Sequence, residues 1–195
     1  MTRDPMAASL LILAGGRSSR MGQPKSFLNV GGGSLLAWSL ARLGPSFGQI
    51  LVSVADRGSP LPADLGKVEI VYDLHRGRGP LAGIEAGLAS SRYDVTFVVA
   101  CDMPQVTPAV AAVLIAASGG HDAAVPLLAT GPEPLCAAYR ASAGPELGLA
   151  LREDRLQARE ALAQLDVNYV DGLGAGLFAN LNTPEDYRAF LAALR

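Results

Sequence analysis

The chain has 195 residues, of which 50% are hydrophobic and 17% are charged. This length suits one α/β domain, and the apolar content allows a large core and argues against disorder. The net charge of −2 argues against the clustered basic surface of a nucleic-acid-binding protein. Cys101 and Cys136 are too few for a disulfide framework and lack zinc-site spacing, which indicates core residues in a reducing compartment.

The N-terminal segment divides into a short extension and the first strand. Residues 1–8 are predicted to form a loose extension, and residues 9–195 a single domain. The apolar run that follows the extension is too short to span a bilayer, and the first strand requires it. We therefore expect no membrane segment and a cytoplasmic location.

Apolar runs separated by glycine and proline predict strands that alternate with helices. The predicted strands are 9–13, 49–54, 68–72, 95–100, 123–127, 135–139, 167–170 and 177–180. The predicted helices are 35–43, 80–90, 108–117, 143–152, 156–165 and 184–194. Ser34, Thr107 and Thr183 are the predicted N-caps of three of them. The alternation favours a single-domain, three-layer α/β sandwich around a mainly parallel, Rossmann-like sheet.

The segment 11–25, LILAGGRSSRMGQPK, links the first strand to a glycine-rich loop. Gly15 and Gly16 lack the Cβ atoms that would keep backbone N–H groups away from a phosphate. Arg17, Arg20 and Lys25 add positive charge for the same anion. The spacing fits neither the Walker A loop nor the dinucleotide fingerprint. The sequence therefore predicts a phosphate-binding loop of another kind.

Three polar residues follow or end other predicted strands. Ser53 ends the second strand, while Asp73 and Asp102 come just after two others. Because ligands of a parallel sheet lie beyond the carboxyl ends of its strands, we expect these residues beside the loop that follows Leu13. A carboxylate there can hold Mg²⁺ against nucleotide phosphates, which favours Asp102. A plain strand-end turn is the alternative interpretation of both aspartates.

Four stretches resemble blocks of the MobA-like nucleotidyltransferase family, and in particular its molybdenum cofactor guanylyltransferases. They are the glycine loop, G-P-L-A-G at 79–83, C-D-M-P at 101–104 and N-x-N-T-P-E-D at 180–186, so the resemblance covers nearly the full chain. In the loop, the family pattern L-A-G-G-x-S-x-R-M-G-x-x-K is matched by Leu13, Ala14, Gly15, Gly16, Ser18, Arg20, Met21, Gly22 and Lys25.

The resemblance implies a nucleotide-diphospho-sugar transferase fold and the transfer of GMP from GTP to molybdopterin, in its Mo-molybdopterin form, with release of pyrophosphate. It implies Mg²⁺ as the cofactor and Asp102 as its ligand. Lys25, Asp102 and Arg20 are the implied catalytic residues, although Arg20 can instead order the loop. The implied nucleotide-binding residues are Leu13, Ala14, Gly15, Gly16, Lys25, Ser53, Asp73 and Asp102. The acceptor side is assigned to Gly79, Pro80, Gly83 and Asn182.

Two departures from the family pattern and three other functions stay open at this point. Ser53 replaces an asparagine of many relatives, and Glu133 with Pro134 replaces a His-Pro pair of some, so contacts there to the nucleobase and the pterin are unassigned. Two rival functions are enzymatic: cytidylyl transfer to molybdopterin, and nucleotidyl transfer to a sugar or alditol phosphate. The third is that of a non-catalytic, nucleotide-binding partner of a molybdoenzyme. Lys25 and Asp102 count against the last. A molybdenum-cofactor carrier or a molybdoenzyme chaperone is a further partner that the resemblance admits.

Overall fold

The computed structural model describes residues 4–15 and 22–194, and within these it contains ten strands and six α-helices. The strands are β1 (Met6–Leu13), β2 (Asn29–Val30), β3 (Gly33–Ser34), β4 (Phe47–Val54), β5 (Glu69–Tyr72), β6 (Val95–Ala100), β7 (Ala123–Leu128), β8 (Gly131–Pro132), β9 (Cys136–Arg140) and β10 (Val167–Val170). The helices are α1 (Leu35–Leu43), α2 (Pro80–Ser90), α3 (Pro108–Ala117), α4 (Gly144–Arg152), α5 (Ala158–Ala161) and α6 (Pro184–Ala193).

One large sheet has the strand order β10-β7-β9-β6-β1-β4-β5, with β8 paired to β7, and β2 and β3 form a separate hairpin. The pairs β1–β4, β1–β6, β4–β5 and β7–β10 are parallel, whereas β9 is antiparallel to both β6 and β7. The expected mainly parallel sheet is therefore confirmed. In the register, Leu13 lies beside Ser53 on one side and Ala100 on the other, so three neighbouring strands reach the same level.

Strand β1 shows how the two faces of the sheet are covered. Leu10 and Ile12 are fully buried in a cluster with side chains of α1 and α3. Leu11 and Leu13 point to the opposite cluster, which contains side chains of α2 and α4. A strand whose side chains alternate between two covered faces reads as a continuous apolar run, as this one does. The expected three-layer sandwich is therefore confirmed.

The three predicted N-caps are confirmed. The hydroxyl of Ser34 accepts a hydrogen bond from the backbone N–H of Ala37, and the hydroxyl of Thr107 accepts one from Val110. Thr183 accepts one from the N–H of Asp186, whose carboxylate accepts the N–H of Thr183 in return. This reciprocal pair is a complete capping box, and it fixes the start of α6.

Two sequence predictions need correction near the chain ends. Strand β1 begins at Met6, and Ala8 is fully buried, so residues 6–8 belong to the sheet and not to a loose extension. The predicted strand over 177–180 does not form. A 3-10 turn, Ala175–Phe178, takes its place, because a turn suffices to bury Phe178 in the core without a neighbouring strand.

A third correction concerns the helix predicted over 156–165. The structure has only the four residues of α5 in this region, followed by a 3-10 turn over Leu162–Gln164. Ala161 and Leu162 are the buried residues of this short piece, so a single apolar contact point replaces a full amphipathic face. No helix within residues 4–15 and 22–194 is long and apolar enough to cross a membrane.

The close approach of α2 to β1 depends on Gly87. A Cβ atom at this position would lie 2.2 Å from Cδ2 of Leu11 and 2.8 Å from Cδ1. Leu11 is fully buried in a close-packed core, so its side chain has little room to move aside.

We expect Gly87→Ala to lower the free energy of unfolding by about 1–3 kcal/mol, because overpacking outweighs the gain of about 0.5–1 kcal/mol in helix propensity. Urea denaturation measures the change. The control is Gly176→Ala, at an exposed glycine with no atom within 4 Å of the added methyl group, which should shift the value by less than about 0.5 kcal/mol. A Gly87→Ala protein as stable as the parent would contradict this packing.

Candidate active site at the carboxyl ends of the strands

The chain leaves β1 between two neighbouring strand ends. The N–H of Ala14 donates to the carbonyl of Ser53 at 2.9 Å, and the N–H of Cys101 donates to the carbonyl of Leu13 at 3.1 Å. These bonds hold the start of the glycine loop between the end of β4 and the residue that precedes Asp102. The start of the predicted phosphate loop, at Ala14, and the predicted metal ligand are therefore neighbours.

The ammonium group of Lys25 lies between two side-chain oxygens from distant parts of the chain. Its Nζ donates hydrogen bonds to Oδ2 of Asp102 and to Oδ1 of Asn182, each at 2.6 Å. The side chains of Lys25 and Asp102 are 17% and 18% exposed, so they are shielded from bulk water and still reachable by a ligand. The structure thus brings a cation, a carboxylate and an amide together at one point.

Local packing explains why Lys25 and Asn182 meet. Lys25 opens a 3-10 turn, Lys25–Phe27, and the next residue, Leu28, is buried together with Leu181 and with Phe190 of α6. This small apolar cluster ties the segment after Lys25 to the segment before Asn182. Burial of each such side chain contributes about 1.5–3 kcal/mol, which is ample to hold the two segments in register.

Backbone hydrogen bonds then fix the direction of Asn182. The N–H of Leu181 donates to the carbonyl of Asp102 at 2.9 Å. The N–H of Asn182 and the N–H of Thr183 both donate to Oδ2 of Asp186, at 3.0 and 2.8 Å. Hydrogen bonds from Thr183 and Asn182 lower the pKa of Asp186, so this carboxylate stays charged. The capping box of α6 is therefore also the support of a site residue.

A second cluster joins three of the predicted residues. The hydroxyl of Ser53, which is 3% exposed, donates to Oδ1 of Asp73 at 3.1 Å. A Cβ atom on Gly83 would lie 2.7 Å from the Ser53 oxygen, so only glycine allows α2 to approach here. Gly83 was predicted on the acceptor side, and it lies against Ser53 and Asp73, two residues that were predicted to bind the nucleotide. Burial raises the pKa of Asp73, and the Ser53 hydrogen bond opposes that rise.

The remaining predicted residues divide into three groups. Gly15 and Ala14 follow β1, and a Cβ atom on Gly15 would lie 3.8 Å from the backbone N of Ala55. Gly79 is exposed, has a φ of 70° and precedes Pro80, the first residue of α2, so the turn that starts the helix explains it. Gly16 and Arg20, with Arg17, lie outside the described residues.

Glu133 is a carboxylate near the site to which the sequence analysis gave no role. It is half-buried in the segment before β9, and its Oε1 accepts a hydrogen bond from the N–H of Leu135 at 3.2 Å. Burial raises its pKa, the charge of Asp102 raises it further, and the charge of Arg159 lowers it. Because β9 is antiparallel to β6, its amino end meets the carboxyl end of β6, where Asp102 lies.

The donor set of the first cluster fits a hard divalent cation. Asp102 contributes carboxylate oxygens and Asn182 an amide oxygen, which are the ligand types that Mg²⁺ prefers. Within residues 4–15 and 22–194, no group of three or more His, Cys, Asp or Glu side chains is arranged for a metal. A site of one carboxylate and one amide suits Mg²⁺ that is also bound to substrate phosphates.

We expect Ser53→Ala to raise the pKa of Asp73 further, because the lost hydrogen bond stabilises the charged carboxylate. The titration of carboxyl carbons by NMR measures the change. Asp64 serves as the internal control, since its lowered pKa depends on Ser34 and should not move. An unchanged or lower pKa of Asp73 would show that the Ser53 contact does not form in solution.

Comparison with known proteins shows which family the chain belongs to. The model of the MobA-like NTP transferase domain matches residues 10–170. A probable molybdenum cofactor guanylyltransferase of Pelotomaculum thermopropionicum is 35% identical over 93% of this chain and 90% of its own length. Another, from Peptoclostridium acidaminophilum, is 32% identical over 93% and 87%.

A solved structure gives the same result at the level of the fold. The molybdopterin-guanine dinucleotide biosynthesis protein A of Archaeoglobus fulgidus is 30% identical, with a TM-score of 0.82 over 95% of this chain and 98% of its own. Sequence and fold agree over nearly the whole length. The chain belongs to the MobA-like NTP transferase family of nucleotidyltransferases.

Proposed function

We propose that this protein transfers GMP from GTP to the terminal phosphate of molybdopterin in the cytoplasm. The proposed acceptor is Mo-molybdopterin, the form that already carries molybdenum. The observation that carries the proposal is the meeting of Lys25, Asp102 and Asn182 at the strand ends. Support for the acceptor and the nucleotide comes from the names of relatives that are 32–35% identical over most of the chain. A carrier or chaperone of the molybdenum cofactor is an additional proposed partner.

The reaction requires positioning and charge neutralisation more than covalent chemistry. A phosphate oxygen of the acceptor bonds to the α-phosphorus of GTP, and the bond to the β-phosphate oxygen breaks, so pyrophosphate leaves with its electron pair. Negative charge builds on the phosphates as the bonds change. The Lys25 ammonium and the backbone N–H groups that follow β1 would stabilise this charge, as preorganised donors do in other phosphoryl transfers.

Asp102 and Asn182 would hold the divalent cation, proposed to be Mg²⁺. When bound, Mg²⁺ supplies further charge neutralisation at the phosphates and fixes their orientation. The protein's own part is to keep the two oxygens in place. The Leu181 hydrogen bond and the capping box of α6 serve that purpose before any ligand arrives.

The second cluster would receive the nucleoside. Ser53 and Asp73 lie at the ends of the strands on the other side of β1 from Asp102. The Asp73 carboxylate accepts a hydrogen bond from the Ser53 hydroxyl and can accept others from N–H or O–H groups. Leu13, Ala14, Gly15 and Gly16 would contact the nucleotide through the backbone, and Arg20 would assist at the phosphates. Gly79 and Pro80, at the start of α2, are proposed to border the acceptor.

We expect Asp102→Asn to lower turnover by about 10²–10³-fold or more, because a charged ligand at the phosphates is lost while the shape is retained. The assay is pyrophosphate release with GTP and molybdopterin, with CTP in a parallel arm. The matched control is Asp94→Asn, at an exposed aspartate just before the other end of β6, where it pairs with Arg140. This control should keep the parental rate.

Four results would overturn the proposal in different ways. Parental turnover by the Asp102→Asn protein would remove the residue from the reaction. Turnover of the parental protein with CTP but not with GTP would replace guanylyl by cytidylyl transfer, and pyrophosphate release only with sugar or alditol phosphates would replace the acceptor. GTP binding without pyrophosphate release from any acceptor would favour a non-catalytic nucleotide-binding protein.

A further inference from the structure

The place that Lys25 occupies is the place where a metal would be expected. Its Nζ is 2.6 Å from an oxygen of Asp102 and 2.6 Å from an oxygen of Asn182. These are the two oxygens that fit a divalent cation. In the ligand-free protein, a cationic group of the chain itself therefore neutralises the carboxylate and satisfies the amide oxygen.

The Lys25 ammonium and a divalent cation compete for this pair of oxygens. The ammonium takes one hydrogen-bond acceptor from each residue, and its positive charge repels a divalent cation at the same point. Both side chains of the ion pair are more than four-fifths covered, so water screens this repulsion only in part. Entry of a metal ion at these oxygens requires Lys25 to leave them.

The lysine is the mobile member of the three. The main chain at Asn182 is fixed by the Asp186 hydrogen bonds, and the carbonyl of Asp102 is held by the N–H of Leu181. Lys25 reaches the site through a flexible side chain with four rotatable bonds from the first residue of a 3-10 turn. Its head can move away by rotation about those bonds, without a change in the fold.

We infer that the Lys25 ammonium takes the place of the divalent cation in the ligand-free protein. It keeps free metal ions from binding until the phosphates of a nucleotide bind the lysine instead. The phosphate oxygens of the nucleotide provide the alternative partner that the lysine needs. Metal and nucleotide then bind together, and the metal-free site keeps its two oxygens in position. Because the metal concerned is that of the proposed nucleotidyl transfer, the inference rests on the proposed function.

The test measures Mn²⁺ binding to the nucleotide-free protein by electron paramagnetic resonance. Lys25→Met keeps an unbranched side chain that is one atom shorter, and it removes the charge. The chain has one other lysine, Lys67, which is exposed, and Lys67→Met is the matched control. We expect Lys25→Met to bind Mn²⁺ at least about tenfold more tightly than the parental protein, and Lys67→Met to bind it as the parental protein does.

A second measurement shows where the additional Mn²⁺ binds. The Lys25→Met, Asp102→Asn double variant should lose the gain in affinity. With GTP present, the order should reverse: Lys25→Met should bind the Mn²⁺–GTP complex more weakly than the parental protein, because the lysine then contacts phosphate. Circular dichroism and thermal melting confirm that each variant is folded.

The inference is overturned if nucleotide-free Lys25→Met binds Mn²⁺ no more tightly than the parental protein, or if the gain survives in the double variant. These outcomes do not depend on turnover. If the parental protein releases pyrophosphate while Lys25→Met shows no gain in Mn²⁺ affinity, the proposed function stands and the inference is wrong. If Lys25→Met gains Mn²⁺ affinity but the parental protein releases no pyrophosphate with any acceptor, the inference about the lysine stands and the proposed function is wrong.

Discussion

The site depends on the ion pair between Lys25 and Asp102, which Asn182 completes. Asp102 and Asn182 are 77 and 157 positions away from Lys25 in the sequence, so only the folded chain brings the three residues together. Parallel strands β1 and β6 end at the same level and place Asp102 beside the glycine loop. The apolar contact of Leu28 with Leu181 and Phe190 then closes the arrangement from the other side.

The closing segment of the chain has two tasks that share the same atoms. The carboxylate of Asp186 caps α6 and also accepts the N–H of Asn182. A helix start is among the most rigid features that a short sequence can encode, because several backbone donors are satisfied at once. Asn182 comes directly before this helix start, which keeps the residue in position in the absence of ligand.

Much of this arrangement could be predicted from the sequence. Local pattern predicted the β-branched strand before Asp102 and the helix starts at Thr107 and Thr183. The rule for parallel sheets predicted that the candidate site residues lie together at the carboxyl ends of the strands. The meeting of Lys25 with Asn182 could not be derived in this way, because it depends on long-range packing around Leu28. Glu133 was named as a departure from the family pattern but given no role, for a topological reason. The rule considers carboxyl ends, and β9 is antiparallel, so its amino end lies near Asp102. The strand predicted over 177–180 was wrong because an apolar run shows burial but not which backbone partner is available.

The most direct measurement is a crystal structure of the protein with Mn²⁺ and a non-hydrolysable GTP analogue, in which anomalous scattering locates the metal. We expect the anomalous peak to place Mn²⁺ between the phosphates and the side-chain oxygens of Asp102 and Asn182. The Lys25 ammonium should have moved from these oxygens onto the triphosphate. A metal bound elsewhere, or a lysine that still contacts both oxygens beside the bound nucleotide, would contradict this expectation.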